Sequence, residues 1–189
     1  LIRIMSHTKQ GGYMIFFKTL ITLLAVFSTS FWLLADDDDH HERSRTLREL
    51  PTMPTHPTWK AECASCHQLY HPGLLPERSW KKMMSTLKDH FGENAELDAK
   101  AKADIEKFLT ANSAEQSNNR RAQKFLKSIA SIETPLRISD TPYFKRKHDE
   151  ISPSVFKRKS IGSAANCLAC HASAEKGYFD EHEVKIPKN

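Results

Sequence analysis

Apolar residues recur every three or four positions in three stretches of this chain, which is the pattern of amphipathic helices. The three apolar stripes are Trp80, Met83, Met84, Leu87 and Phe91; Leu97, Ala101, Ile105, Phe108 and Leu109; and Ala122, Phe125, Leu126 and Ile129. The first of these helices is expected over Ser79–Phe91, with Gly92 in the position of a C-terminal cap. No run of alternating β-branched residues indicates a strand. The pattern therefore predicts a helical protein.

A further helix is indicated by its start. Thr141 followed by Pro142 is a favourable helix N-terminus, because threonine caps the first turn and proline fits the first helical position. Phe144 and His148 then lie on one face, and Pro153 closes the segment. His148 is therefore expected on the apolar face of a short helix.

The N-terminal stretch has the profile of an export signal. Residues 19–35 are uncharged and mostly apolar, follow Lys18, and precede four consecutive aspartates. We expect residues 1–35 to comprise a signal peptide together with an extension upstream of Met14. An uncleaved membrane anchor is the alternative, although the apolar run is short for a membrane span.

A polar stretch at 112–119 divides the rest of the chain. We predict a first domain at 36–112 and a second at 120–189. Proline-containing joins such as 51–57 connect the helices. The predicted fold is all-α, with two small helical parts and irregular, Pro-rich connections.

The charge of the chain changes when the leader is set aside. Arg3, Lys9 and Lys18 precede Asp36 without any acidic residue, so the net charge of +5 falls to +2 for the remainder. A balance this close to neutral gives no support to nucleic-acid binding. Basic clusters at 145–147 and 157–159 remain, either as a solvated face or as a docking patch for an acidic partner.

All four cysteines fall in two Cys-x-x-Cys-His units. In such a unit the two thiols attach covalently to one haem, and the histidine is placed to bind its iron. We therefore expect two covalently bound haem c groups. The residues expected to hold them are Cys63, Cys66, His67, Cys167, Cys170 and His171.

Two other chemistries use the same cysteine spacing, namely a zinc site and a thioredoxin-like dithiol pair. Neither requires a histidine directly after both pairs. A thioredoxin-like pair also needs a βαβ context, which the helical pattern does not provide. The duplicated histidines therefore favour haem over both alternatives.

Each iron bound by one histidine has a sixth position that a second side chain can fill. The best candidates are His90 and His148, because each lies on the apolar face of an expected helix. His90 follows His67 by as many residues as His148 precedes His171, so each can pair locally. We predict His67, His90, His148 and His171 as the iron ligands.

Other assignments stay open. A histidine on an apolar face is commonly a core residue that is hydrogen-bonded to the backbone. Met83 and Met84 are rival ligands whose thioethers would raise the reduction potential, although methionines on a helical stripe commonly fill a core. A vacant sixth position would instead suit a haem enzyme or a gas-binding protein.

Segments along the whole exported portion resemble the dihaem cytochrome c family often abbreviated DHC. The segments that carry the resemblance are Glu62–His67, Pro72–Trp80, Asp89–Ala95, Thr134–Ile138, Phe144–His148 and Cys167–His171. The resemblance implies proximal roles for His67 and His171 and distal roles for His90 and His148. A crossed arrangement, with His148 reaching the first haem, remains an alternative.

The resemblance also implies a function. It points to a soluble periplasmic electron carrier with two low-spin, low-potential, bis-histidine haems, no catalytic residues and no small-molecule substrate. It further implies redox protein partners, namely a small oxygen-binding monohaem cytochrome and a membrane cytochrome b. The alternatives are a haem enzyme or gas-binding protein with one open axial site, and an electron-transfer subunit anchored to a membrane complex.

Overall fold

The computed structural model describes residues 50–188, and the expected signal peptide at 1–35 lies outside them. The α-helices in this range are α1 Pro57–Cys63, α2 Glu77–Ser85, α3 Ala99–Ala111, α4 Arg120–Ser128, α5 Pro142–Lys147 and α6 Pro153–Phe156. Short 3-10 turns are Pro72–Leu74, Leu87–Asp89, Ala114–Gln116, Ile138–Asp140, Cys167–Ala169, Ala174–Lys176 and Glu181–Glu183. The described residues contain no named strand, which confirms the all-α prediction.

Side-chain caps explain where several helices begin. The Asp98 carboxylate accepts hydrogen bonds from the backbone N–H groups of Lys100 and Ala101, and α3 starts at the next residue after Asp98. Thr141 caps α5 as expected, because its hydroxyl accepts from the Phe144 N–H at 3.3 Å. These polar residues specify the helix starts through contacts within one turn.

The first predicted helix is shorter than its apolar stripe. The helix α2 ends at Ser85 rather than Phe91, because the backbone leaves the helical region at Thr86, with φ −120° and ψ 25°. The Thr86 hydroxyl donates to the Lys82 carbonyl at 3.0 Å and satisfies a terminal helix acceptor. A 3-10 turn then extends the same stripe to Asp89, so the apolar spacing persists after the α-helix has stopped.

A first core joins α1, α2 and α3. Its buried members are Trp59, Leu75, Trp80, Met84, Ile105 and Leu109. The Trp80 indole N–H donates to the Pro72 carbonyl at 2.8 Å, so the polar edge of this buried ring is satisfied. Met84 is buried in this core and Met83 packs against it.

A second core joins the later helices to the 3-10 turn at Pro72–Leu74. Its buried members are Leu50, Leu74, Ala122, Phe125 and Tyr143. Leu74 belongs to the first predicted domain, whereas Phe125 and Tyr143 belong to the second. All of them lie in one compact unit, Ser44–Asn189. The division into two haem-binding domains at 112–120 stays a prediction.

None of the helices at residues 50–188 has the length and apolar character needed to cross a membrane.

Candidate haem-binding site

The first cysteine pair lies where α1 ends. Cys63 is the last helical residue and is half-buried, whereas Cys66 and His67 are exposed in the turn that follows. The His67 Nδ1 atom lies 2.6 Å from the Gln68 carbonyl oxygen. A hydrogen bond from Nδ1–H to this carbonyl leaves Nε2 free to bind a metal.

The structure brings His90 beside His67. Their ring centres are 6.1 Å apart and the ring planes differ by 25°. His90 sits on a tight turn rather than on a helix, because its backbone pairs with that of Glu93 in an isolated antiparallel bridge. Phe91, inside the turn, has φ +59°, a strained conformation for an aromatic residue. Arg137 lies over the Phe91 ring at 3.8 Å and covers this turn.

The second cysteine pair lies in a 3-10 turn, Cys167–Ala169, with His171 just after it. His148 lies beside His171, with ring centres 6.1 Å apart and planes at 79°. The His148 ring stacks on Phe144 at 3.9 Å, and its Nδ1 lies 2.9 Å from the Phe144 carbonyl oxygen. As with His67, a bond from Nδ1–H directs Nε2 away from the backbone.

Both ring separations fit one iron between two imidazoles. A metal–imidazole bond is about 2 Å long and the bonded nitrogen lies about 1 Å from the ring centre, so opposite ligands have centres about 6 Å apart. Each pair also lies next to a Cys-x-x-Cys unit. The four histidine rings thus lie as two local pairs, His67 with His90 and His148 with His171, and their roles as iron ligands stay a prediction.

The environment favours neutral imidazoles, the form that binds metals. Burial lowers the pKa of His90, and the nearby His67 and Arg137 lower it further. Burial also lowers the pKa of His148, and the nearby Lys147 lowers it further. Burial likewise lowers the pKa of His171, and the nearby His148 and Arg121 lower it further.

The four cysteines form no disulfide with one another. Burial raises the pKa of Cys63 to about 11, with a smaller contribution from Glu62. Burial also raises the pKa of Cys167 and Cys170. These thiols remain protonated near neutral pH, and all four are available to form thioether bonds.

Direct hydrogen bonds connect the two cysteine motifs. The Leu168 backbone N–H, inside the second motif, donates to the Gln68 side-chain oxygen at 3.2 Å. The Tyr70 hydroxyl donates to the Ala165 carbonyl oxygen at 3.1 Å. Gln68 directly follows the predicted ligand His67, so these two bonds place the two haem-binding segments side by side.

Two other histidines in the described range, His56 and His71, have structural roles. His71 is buried, its Nδ1 accepts from the Gly73 N–H at 3.0 Å, and its Nε2 lies 3.1 Å from the Pro51 carbonyl. His56 caps α1 by accepting from the Trp59 N–H. These bonds occupy both ring nitrogens of His71 and one of His56.

Sequence reasoning missed the residues that connect and support the sites. No spacing rule links Gln68 or Tyr70 to a segment about a hundred positions later. Arg137 and Phe91, which are also in contact, are far apart along the chain too, although less so. The available sequence signal for Gln68 was its position directly after a predicted ligand. Polar residues beside a ligand commonly orient it or hydrogen-bond to the groups around it.

Comparison with known proteins shows which family this chain belongs to. The family model for dihaem cytochrome c matches residues 59–179. A dihaem cytochrome c structure from Rhodobacter sphaeroides is 45% identical, with 68% of this chain and 99% of that chain covered and a TM-score of 0.60. A dihaem cytochrome c structure from Shewanella baltica OS155 is 36% identical, with 71% and 94% covered and a TM-score of 0.57. No curated protein sequence matches this chain.

Helices arranged around two Cys-x-x-Cys-His units define a c-type cytochrome with two haem groups. Within that class, the chain belongs to the dihaem cytochrome c family. Two haem c groups and a role in electron transport follow from that membership, and the chain has the four cysteines needed for covalent attachment.

Proposed function

We propose that this protein is a periplasmic electron carrier in which two low-potential haems each have two histidine ligands. The observation that carries the proposal is the pair of equal ring separations, 6.1 Å for His67 with His90 and 6.1 Å for His148 with His171. Each haem supplies one-electron iron(III)/iron(II) chemistry. The protein contributes the ligands, their orientation and the surrounding burial.

His67 with His90, and His148 with His171, would each hold one iron through two imidazole nitrogens. Two such ligands would leave no open position for a substrate or a gas at the metal, so the protein would exchange electrons without binding a molecule there. The bonds from His67 to the Gln68 carbonyl and from His148 to the Phe144 carbonyl hold the rings and raise their basicity as ligands. Little ligand movement is then needed when the iron changes oxidation state.

The ligand type supports a low potential. Methionine raises a haem potential relative to histidine. The two candidate methionines are placed in the first core, where Met84 is buried and Met83 packs against it. An imidazole at the sixth position of each haem therefore accounts for the site better than a thioether.

The hydrogen bonds between the two motifs support electron exchange within the molecule. Gln68 and Tyr70 hold the first motif against the segment Ala165–Leu168 of the second. An electron that enters at one site therefore has a short route to the other. This arrangement suits a carrier that accepts an electron on one side and delivers it on another.

Location and partners complete the proposal. The apolar stretch at 19–35 supports export, and haem attachment through thioethers suits an oxidising compartment in which free thiols would be at risk. The family resemblance supports a small oxygen-binding monohaem cytochrome as acceptor and a membrane cytochrome b as donor.

Spectroscopy of the purified holoprotein tests the proposal. We expect an intact mass increased by two haems, entirely low-spin optical and electron paramagnetic spectra in both redox states, and no rapid carbon monoxide binding after reduction. A high-spin ferric component together with rapid carbon monoxide binding would instead establish an open-site haem enzyme or gas-binding protein.

A further inference from the structure

A groove between α4 and α5 concentrates positive charge on one surface. Its volume is about 480 Å³. The residues that line it are Lys124, Lys127, Ser128, Tyr143, Arg146 and Lys147. Neither helix contains an aspartate or a glutamate, although together they contain seven lysines and arginines. Such a surface attracts anionic partners before contact.

One groove cation has an acidic residue beside it. The Lys147 ammonium lies 3.8 Å from a Glu181 carboxylate oxygen, but both side chains are more than half exposed and such a pair is weak. The Ser128 hydroxyl already donates to Phe125 and accepts from the Tyr143 N–H. Charge, rather than free hydroxyl groups, is therefore what the groove offers a partner.

The groove lies next to the second haem-binding site. Phe144 lies on one face of α5, and His148 directly follows the C-terminal end of this helix. The rings of Phe144 and His148 stack on each other. Tyr143, Arg146 and Lys147 line the groove from the same short helix. One helix thus separates the basic groove from the predicted ligand His148.

The surroundings of His90 have the opposite charge. The segment 89–98 that carries His90 contains Asp89, Glu93, Glu96 and Asp98 and no lysine or arginine. Two cations flank this segment, namely Lys88, which directly precedes it in the sequence, and Arg137, which stacks on Phe91. A strongly acidic partner is therefore attracted to α4 and α5 and repelled from the loop at the first site.

We propose that the groove docks an acidic redox protein, which exchanges an electron with the second haem-binding site. This inference rests on the proposed function as an electron carrier. The step is outer-sphere: one electron leaves the partner's reduced cofactor and converts iron(III) to iron(II), and no bond forms or breaks. Carboxylates around the partner's cofactor would pair with the groove cations during the encounter.

Stopped-flow reduction of the oxidised holoprotein tests the inference. The protein probe is fully reduced flavodoxin, an acidic one-electron donor, and the reference is the neutral semiquinone of lumiflavin. The test variant is Lys127→Glu/Arg146→Glu, with one exposed change on each groove helix. The matched control is Lys100→Glu/Lys107→Glu on α3, which changes the net charge equally at two exposed positions.

At low ionic strength we expect flavodoxin to reduce the groove variant at least about tenfold more slowly than the wild type, within the range of electrostatic steering. The control should slow less than about threefold, added salt should remove the difference, and lumiflavin should reduce all three proteins equally. Equal slowing of variant and control, or no slowing, would overturn the inference.

Two further outcomes separate the alternatives. In the first outcome, wild-type protein binds anionic phosphatidylglycerol vesicles, the groove variant does not bind them, and the flavodoxin rates are unchanged. This outcome would mean that the groove binds a membrane surface and that the inference is wrong. If lumiflavin fails to reduce the wild-type protein at all, the proposed electron-carrier function fails, and the docking inference fails with it.

Discussion

The two histidine pairs have the same ring separation but are built from different local structures. At the first site, His90 sits on a tight turn that includes a strained Phe91, and its ring is within 25° of parallel to that of His67. At the second site, His148 caps a short helix, and its ring is at 79° to that of His171. Ligand spacing is thus common to both sites, whereas ring orientation follows the element that carries each ligand.

The anchoring of the rings also differs. At the first site, the hydrogen bond at Nδ1 is made by His67, the motif histidine. At the second site, it is made by His148, which lies outside the motif. His148 gains additional support from the stacked Phe144 ring, whereas the His90 ring meets Phe91 at a tilt. A single iron-ligand pattern is therefore compatible with two unlike scaffolds, and each scaffold is expected to tune its own iron.

Removal of one predicted iron ligand should produce the largest difference between the two sites, because it should change one haem and leave the other unchanged. We expect His90→Ala and His148→Ala each to convert one haem from six-coordinate and low-spin to five-coordinate or water-bound, and to leave the other unchanged. Optical and electron paramagnetic spectra with carbon monoxide titration measure this. His182→Ala, at an exposed position in the C-terminal segment, is the control. Unchanged spectra in both ligand variants would rule out this ligand assignment.

Removal of one of the two hydrogen bonds between the motif segments should affect both sites together. Gln68→Leu leaves the Leu168 N–H without its side-chain acceptor, so we expect a loss of about 1–3 kcal/mol in the free energy of unfolding and slower electron exchange between the sites. Denaturant unfolding and pulse radiolysis measure the two effects. Gln68→Glu keeps an acceptor oxygen and should retain more of both properties; equal losses in the two variants would contradict a role for the acceptor.

Acid should lower the free energy of unfolding through a histidine that has no counterpart after the second motif. His71 follows the first motif, whereas Glu175 holds the equivalent position after the second. Burial lowers the pKa of His71 below its ordinary 6.5, so its neutral form stabilises the fold above that pH. The unfolded chain binds this proton more readily, and stability is lost as the pH falls through 6.5 towards the lower folded-state pKa.

The contribution of one such histidine is at most about 1.4 kcal/mol for each pH unit. Unfolding free energies of wild type and His71→Gln, measured between neutral and mildly acidic pH, should therefore converge as the pH falls. Parallel curves would mean that His71 does not titrate within this range.

The smallest expected effect concerns ring orientation at the second site. Phe144→Leu removes the ring that stacks on His148 and should cost about 1 kcal/mol of stability while it loosens the perpendicular arrangement. In the wild type we expect two distinct ferric paramagnetic signals, one for each ring angle. The variant should shift one signal and leave the other; Phe156→Leu, whose ring is farther from His148, is the comparison. A shift of both signals would show that the sites are not independently oriented.

Local sequence features predicted much of the fold. Thr141 with Pro142 marked the start of α5, because a cap and a proline act within one turn. The helix predicted at Ser79–Phe91 extends beyond the end of α2 at Ser85. Apolar spacing indicates which side of a segment faces the core, but it does not indicate where the helical hydrogen bonds stop. The position of His90 on an apolar stripe therefore agrees with its partial burial but gave the wrong secondary structure.

The sequence by itself determined the chemistry: the two Cys-x-x-Cys-His units specify thioether attachment and one histidine for each haem, because the reacting groups are contiguous. Only the tertiary structure decided which histidines face each other, at what ring angle, and how Gln68 and Tyr70 join the two motifs. Those features depend on packing between segments far apart in the chain, and no local pattern encodes the distance or the orientation that such packing imposes.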